Sequence, residues 1–175
     1  MSEITAFSPA EVAGLLRIST EALVAEVRAL GPRATIRPGP DEWCANEVLG
    51  HLIEADRRGF AGRIREVLAG DRPTFTPWDQ PGVARARHDE LRNPEELIAE
   101  LAAQRQNDLA LVASLDADVL DRSGTHPMVG ELTIRDLLHE WVHHDREHLS
   151  QLMAVTQWLA RPFMGNARKF TDPDA

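Results

Sequence analysis

Hydrophobic residues recur at intervals of three and four along four long stretches of this sequence, a spacing that predicts amphipathic helices. The first stretch covers about residues 8–30, and the second begins at Cys44 or Ala45 and continues to residue 69. The third covers residues 93–115 and the fourth residues 133–160. Because each apolar stripe must be buried against another, we expect an all-α protein, a four-helix bundle with long inter-helix connections.

Capping residues mark where these helices begin. Ser8 and Glu11 form a capping box, with Pro9 at the first helical position, and Thr133 and Asp136 repeat the pattern before the fourth stretch. Between the helices, residues 71–92 contain three prolines and a glycine and are expected to lack regular structure. Long loops of this kind tend to form lids or walls of functional sites. Residues 116–130 are expected to form a second connector with a short turn at most, since no β-type alternation persists anywhere in the chain.

Composition narrows the class of protein. A chain of 175 residues can bury a sizeable core without cross-links, so we expect one domain over residues 1–175 with its core at about 8–160. The net charge of −9 and the scattered basic residues argue against nucleic-acid binding. Cys44 is the only cysteine, and no apolar run approaches the length of a membrane span or signal segment. We therefore expect a cytoplasmic protein that binds neither membranes nor nucleic acid.

Four of the seven histidines lie in the fourth stretch, and helical phase separates them into two pairs. At about 100° per residue, His144 and His148 leave the helix beside the apolar stripe that contains Trp141. His139 and His143 fall on the other side and are expected to face solvent.

Two metal-binding patterns overlap in this helix. The segment HEWVH at residues 139–143 matches H-E-x-x-H, in which two histidines one turn apart bind zinc. We reject this match because inward-facing histidines would turn Trp141 toward water, and because the third ligand of the extended pattern is missing. His144 and His148 instead form an inward H-x-x-x-H pair at a spacing suited to sharing one ion. The residues alone leave open that this pair consists of two histidines satisfied by hydrogen bonds at the edge of the core.

His51, in the second stretch, lies on a flank of its helix beside the small residues Cys44, Ala55 and Gly62. Phase alone permits either an ordinary groove histidine or a metal ligand at this position.

Three motifs resemble those of the DinB-like or YfiT-like metal-dependent enzymes, a superfamily of four-helix bundles. They are Trp43 with VLGHL at residues 48–52, WDQ at 78–80 and HDREHLSQ at 144–151, in the order and over the span expected for that family. In the family, one histidine of the second helix and an H-x-x-x-H pair of the last helix hold a divalent ion. The resemblance therefore implies that His51, His144 and His148 are metal ligands, with zinc or nickel as the first candidates and manganese or iron as further ones.

A three-histidine centre leaves a coordination position open, which is typical of catalytic sites. The resemblance implies an enzyme in which the metal activates a thiol or water for transfer to, or hydrolysis of, a small electrophilic substrate, with a low-molecular-weight thiol as a candidate partner. It also implies a homodimer, and residues 71–92 are expected to wall the metal cleft with Trp78. The alternative is a non-catalytic, metal-binding or stress-associated dimeric module.

Carboxylates often orient metal-binding histidines from outside the ligand set. Glu54, Asp145 and Glu147 are near enough in sequence for this role, although each also fits a solvated helix face.

Overall fold

The computed structural model describes residues 4–172 and consists mainly of helices. They are α1 (Pro9–Leu30), α2 (Ala45–Glu54), α3 (Ala61–Ala69), α4 (Gln80–Arg87), α5 (Pro94–Ala113) and α6 (Ile134–Ala160). A π-helical turn, Ala55–Phe60, joins α2 directly to α3, and strands β1 (Ser123–His126) and β2 (Gly130–Thr133) form an antiparallel hairpin before α6. Short 3-10 helices occupy Gly31–Thr35, Asp89–Leu91, Ala117–Val119, Arg161–Phe163 and Gly165–Phe170.

The predicted four-helix bundle is confirmed. Helix α1 packs on α5 and α6, and α2 packs on the same two helices from the other side. The core has two hydrophobic clusters, one containing Leu16, Phe60 and Trp141 and the other containing Leu49 and Leu152. Asp145 lies between Trp141 and Leu152 along α6, so the two clusters meet near the middle of that helix.

Within the part of the chain that the structure describes, no helix has both the length and the apolar character needed to cross a membrane.

The helix starts lie where the capping signals predict them. The backbone N–H of Ser8 donates to the Glu11 carboxylate at 2.8 Å, while the Ser8 hydroxyl accepts from the backbone of Glu11 at 3.3 Å. Thr133 and Asp136 make the same reciprocal pair at the start of α6, with distances of 2.9 and 3.0 Å. These local bonds satisfy backbone donors that a helix leaves free at its first turn.

The second predicted helix is not continuous, because the π-helical turn interrupts it. The backbone N–H of Ala61 donates to the Asp56 carbonyl, five residues earlier. A Cβ at Gly62 would lie 2.1 Å from the Arg57 carbonyl oxygen, so the widened turn fits only beside glycine. Turns of this type add one residue to a helix and are frequent at functional sites.

Both connections contain more regular structure than expected. Residues 71–92 include α4, which begins where the Asp79 side chain accepts from the backbone N–H of Gly82 at 3.0 Å. This helix buries none of its side chains, so it has no apolar stripe for periodicity to detect. Residues 116–130 contribute β1 and part of the hairpin. The buried residues of β1 are Ser123 and Gly124, which give no alternation of apolar and polar positions.

Three helical segments are joined by a fully buried ionic cluster. Arg105 of α5 donates to Asp56 of the π-helical turn at 2.6 and 3.0 Å, and to Asp145 of α6 at 2.7 Å through two nitrogens. The indole N–H of Trp141 also donates to Asp56, at 2.8 Å. Arg105 and both aspartates are at most 1% exposed. Burial raises the pKa of Asp56, and the Arg105 guanidinium opposes that rise.

A second, partly exposed network attaches α4 to the bundle. Arg87 donates to Asp89, Glu54 and Glu100, at 2.6, 2.9 and 3.2 Å. The Asp89 carboxylate lies so close to α2 that a Cβ at Gly50 would come within 1.7 Å of its oxygen. Glycine at position 50 is therefore a requirement of this contact.

Replacing Arg105 by Met is expected to lower the free energy of unfolding at pH 7 by about 3–5 kcal/mol, because it leaves two buried carboxylates without their cation. Without that cation, the pKa of Asp56 in the folded state should lie further above its value in the unfolded chain. The folded variant should then bind more protons than the unfolded chain as the pH falls. The difference in the free energy of unfolding between the variant and wild type should therefore become smaller between pH 7 and pH 5.

Denaturant unfolding at the two pH values measures this deficit. Arg17→Met is the matched control, because Arg17 makes only an exposed pair with Glu21, and its effect should stay within about 0.5 kcal/mol. A deficit of similar size in both variants would contradict the assignment.

Replacing Gly50 by Ala is expected to destabilise the fold by about 1–3 kcal/mol, since the added methyl group displaces the Asp89 carboxylate. Gly14→Ala is the control, because no atom lies within 4 Å of a Cβ at that position of α1. That change should be neutral or stabilise by about 0.5–1 kcal/mol, as Gly to Ala does in a helix interior. Thermal unfolding of both variants decides between these expectations.

Candidate metal centre

The structure brings together His51 of α2 with His144 and His148 of α6. One ring nitrogen from each of the three lies within 4.8 Å of the others. The Nε2 atoms of His51 and His144 are 3.1 Å apart. Since α2 and α6 are far apart in sequence, their packing alone creates this cluster.

The three imidazoles lie in a partly desolvated environment. His51 is 8% exposed, and its pKa is lowered to about 3 by burial and by the neighbouring His148 and His144. The pKa of His144 is also lowered to about 3, by burial, by His148 and by the Arg105 cation. Both rings are therefore neutral at pH 7 and have lone pairs available to a metal ion.

One residue of α6 orients a ring of the cluster. The side-chain oxygen of Gln151 lies 2.8 Å from Nδ1 of His148. Because that oxygen can only accept, Nδ1 carries the proton and Nε2 keeps a free lone pair. Nδ1 of His144 is buried and has no hydrogen-bond partner among the described residues.

The three carboxylates considered for this orienting role have other partners. Glu54 accepts from Arg57, Arg58 and Arg87, and Asp145 accepts from Arg105. None of the hydrogen bonds among residues 4–172 joins them to the three histidines.

Two of these three carboxylates also differ from the solvated helix face that their sequence positions fit, while Glu147 agrees with it. Glu54 and Asp145 are buried. Glu147 is exposed and lies 3.6 Å from His143. Gln151 has the orienting role instead, and its position three residues after His148 on the same helix face is the signal that could have revealed it.

Two tryptophans flank the histidines. The ring of Trp43 lies 5.0 Å from that of His51 and 6.3 Å from that of His148, measured between centroids. Trp78, from the segment before α4, stacks on His51 at 6.3 Å. The segment predicted to wall the site therefore does place its tryptophan against a histidine of the cluster.

Clefts open on two sides of the cluster. One has a volume of about 410 Å³ and is lined by Trp43, His148, Gln151 and Trp158, among others. The other, of about 950 Å³, is bounded by α3, the hairpin and α6, and its lining includes His144 and Trp78. Small molecules can thus approach the histidines from either side.

His139 and His143 do not join the cluster. His143 is 67% exposed, as predicted. His139 is more buried than predicted, because the segment before α1 covers it. The backbone N–H of Phe7 donates to its Nε2 at 3.0 Å, and its Nδ1 lies 2.8 Å from the Arg135 carbonyl. Both ring nitrogens are occupied, so the H-E-x-x-H pattern lacks a free ligand atom at its first histidine.

The geometry of the cluster fits one divalent ion. Two imidazole nitrogens bound to a tetrahedral ion at about 2.0–2.1 Å lie roughly 3.3 Å apart. The 3.1 Å separation of the Nε2 atoms of His51 and His144 is close to this value. Without an ion, one of these two nitrogens can donate a hydrogen bond to the other, depending on the tautomers of the two rings.

Comparisons with known proteins identify relatives of this chain in sequence and in fold. YuaE, an uncharacterized protein of Bacillus subtilis, is 28% identical over 138 residues, which is 71% of this chain and 84% of that protein. The fold is similar to that of YfiT from Bacillus subtilis, described as a probable metal-dependent hydrolase with an unusual four-helix bundle topology. The TM-score is 0.79 at 16% identity, covering 91% of this chain and 94% of that one.

A second solved structure with this fold is the mycothiol-dependent maleylpyruvate isomerase. Its TM-score is 0.67 at 11% identity, covering 85% of this chain and 63% of that one. The family model of the DinB superfamily matches residues 16–152, which include all three histidines of the cluster. The chain belongs to the DinB superfamily.

Proposed function

We propose that this protein is a divalent-metal-dependent enzyme in which His51, His144 and His148 hold the ion, and in which a thiol or water attacks a small electrophilic substrate. The observation that carries the proposal is the convergence of three imidazoles between two open clefts. Three ligands leave a position for a reacting molecule, whereas a structural zinc site is typically closed by four. The described residues offer no fourth His, Cys, Asp or Glu to this group.

Zinc and nickel are the ions that we propose for the centre. Imidazole nitrogen suits zinc, copper, iron and nickel, while manganese favours carboxylate, carbonyl and water ligands. A bound ion of this kind lowers the pKa of a coordinated thiol or water toward neutrality. The chain itself contributes the three imidazole rings, the Gln151 bond that orients His148, and the tryptophans that flank the histidines.

The nucleophilic sulfur, if sulfur is used, must come from a small molecule. Cys44 is the only cysteine of the chain. It is fully buried, and burial raises its pKa to about 12. A low-molecular-weight thiol is therefore the proposed co-substrate.

In the thiol reaction, sulfur forms a bond to the electrophilic carbon, and the leaving group departs with the electron pair of the broken bond. The thiol proton passes to solvent or to that group. Hydrolysis follows the same balance, with water in place of the thiol.

The two structural neighbours support water and a thiol, respectively, as the nucleophile. One is described as a probable metal-dependent hydrolase and the other as a mycothiol-dependent isomerase. Their similarity to this chain is one of fold, so the nucleophile remains part of the proposal.

The homodimer also stays a prediction. Ile18, half-exposed on α1, belongs to an outer face that could supply its interface.

Replacing any one of His51, His144 or His148 by Ala is expected to weaken metal binding at least about tenfold, because even a residue that only orients a ligand typically contributes 10–100-fold. The fold should stay helical, since the buried apolar stripes are untouched. Elemental analysis and circular dichroism of the purified variants test both expectations.

His143→Ala is the control for this series, and its metal content should match that of the wild type. Full metal in His144→Ala together with loss in His143→Ala would mean that the H-E-x-x-H histidines are the ligands.

Metal-loaded protein is expected to consume an electrophile in the presence of a small thiol, or to hydrolyse it, with a rate that chelation abolishes. The experiment is a screen of low-molecular-weight thiols against electrophilic acceptors, with thiol-free reactions to detect hydrolysis. His148→Ala, expected to be poor in metal, should lose the rate in parallel with its metal content. Stoichiometric metal without turnover under any condition would favour the non-catalytic binding module.

A further inference from the structure

Among the described residues that line the larger of the two clefts, one side chain has a fixed positive charge. The lining residues that the structure describes include Arg63 of α3 and no other arginine or lysine. His144 of the metal centre lines the same cleft. A molecule bound in this cleft can therefore reach both the Arg63 guanidinium and His144.

Arg63 lacks the partners that its neighbours have. Arg58 donates to Glu54 at 2.7 Å, and Arg65 donates to Asp108 at 2.6 Å. Arg63 makes no hydrogen bond or ion pair with any residue between 4 and 172, and its buried Nε has no acceptor. Burial lowers the pKa of Arg63. Glu66, one turn further along α3, opposes that change but forms no ion pair with Arg63. A planar donor group thus lies at the cleft without a hydrogen-bond acceptor among the described residues.

The position of this guanidinium is fixed by an aromatic platform. Its central carbon lies 5.4 Å from the centroid of the Phe75 ring. Phe75 is buried, and its backbone N–H donates to the Thr125 carbonyl of β1 at 2.9 Å. A Cβ at Gly124 would lie 2.4 Å from the same ring, so glycine makes room for the platform. Arginine stacked on an aromatic face in this way is well suited to bind a planar anion with two parallel hydrogen bonds.

The acidic residues of the cleft limit which anion fits. Asp136 accepts from Thr133 as part of the α6 cap, and Glu131 accepts from the Ser123 hydroxyl. Glu140 is exposed. Because these three carboxylates line the same cleft, a dianion such as phosphate would meet more repulsion than a single carboxylate.

We propose that Arg63 binds a carboxylate of the ligand whose other end reacts at the histidine centre, so that the enzyme acts on small carboxylate-bearing molecules. This inference rests on the proposed function, since it takes the histidine centre as the position of the reacting group. It assigns Arg63 to substrate recognition and gives the substrate a chemical class.

Cobalt-loaded protein provides a test that does not depend on turnover, because a thiolate bound to Co(II) produces a charge-transfer absorption band. The probes are 3-mercaptopropanoate, 4-mercaptobutanoate and 6-mercaptohexanoate, each compared with its neutral amide. Titration of the band gives the dissociation constant of each probe. For at least one chain length, wild type should bind the carboxylate at least about tenfold more tightly than the amide, as expected for a hydrogen-bonded charged pair.

Arg63→Met should abolish this preference, and Arg63→Lys should retain only part of it because a point charge lacks the planar fork. Arg33→Met is the matched control, since Arg33 is exposed and lines neither cleft. It removes the same charge and should keep the full preference. Cobalt content and circular dichroism should be unchanged in all three variants.

Equal binding of acid and amide by wild type at every length would overturn the proposal, and so would a preference that survives in Arg63→Met. Absence of the thiolate band with all probes, amides included, would instead refute the histidine centre and the inference that depends on it. The two failures are therefore distinguishable.

Discussion

The geometry of the candidate site depends on one buried cation, Arg105, shared between two aspartates. Asp56 lies five residues after His51, and Asp145 lies directly after His144. By holding these two carboxylates, the guanidinium fixes the π-helical turn and α6 at one relative depth. A sliding of either helix along the other would break charge-assisted hydrogen bonds between groups that are at most 1% exposed. The distance between the histidines of the two helices follows from this constraint.

Such a cluster is a poor source of net stability, because desolvation of three charges offsets most of their attraction. Its strength lies in specificity, since apolar side chains such as Leu49 and Leu152 can pack in several registers, whereas a forked guanidinium between two carboxylates has one good arrangement. The Arg105 charge also helps to lower the pKa of His144. The same residue thus aligns the helices and favours the neutral form of the His144 ring.

Irregular backbone next to this cluster shapes the approach to the histidines. The π-helical turn, which Gly62 permits, contributes Phe60 and Gly59 to the wall of the larger cleft. The hairpin and Trp78 complete that wall, and Arg63 lies over the ring of Phe75. The smaller cleft, by contrast, is lined by Asp41 and Glu42 and by no arginine or lysine among its described residues. Both clefts are therefore lined by acidic side chains, and among the described residues only the larger one also offers a cation, which under the proposed function is a physical basis for distinguishing two reactants.

Local patterns in the sequence predicted the features that depend on neighbours a few residues apart. Capping pairs located the starts of α1 and α6, and helical period placed His144 and His148 together while leaving His143 in solvent. The long apolar stripes predicted the bundle because each stripe has to be buried against another helix. Phase alone left His51 undecided on a flank of its helix, and only resemblance to a family joined it to the other two.

Contacts between distant parts of the chain depend on the tertiary structure. The meeting of His51 with α6 requires the packing of two helices, and no local pattern encodes the Arg105 cluster that sets it. Helix α4 was not predicted because the ion pairs of Arg87 hold it and it buries no apolar stripe. The hairpin was not predicted because backbone hydrogen bonds hold its largely polar residues together. His139 was expected to face solvent, yet Phe7 covers it from 132 residues away. Periodicity reports which face of a helix is apolar, but contact partners depend on how those faces meet in three dimensions.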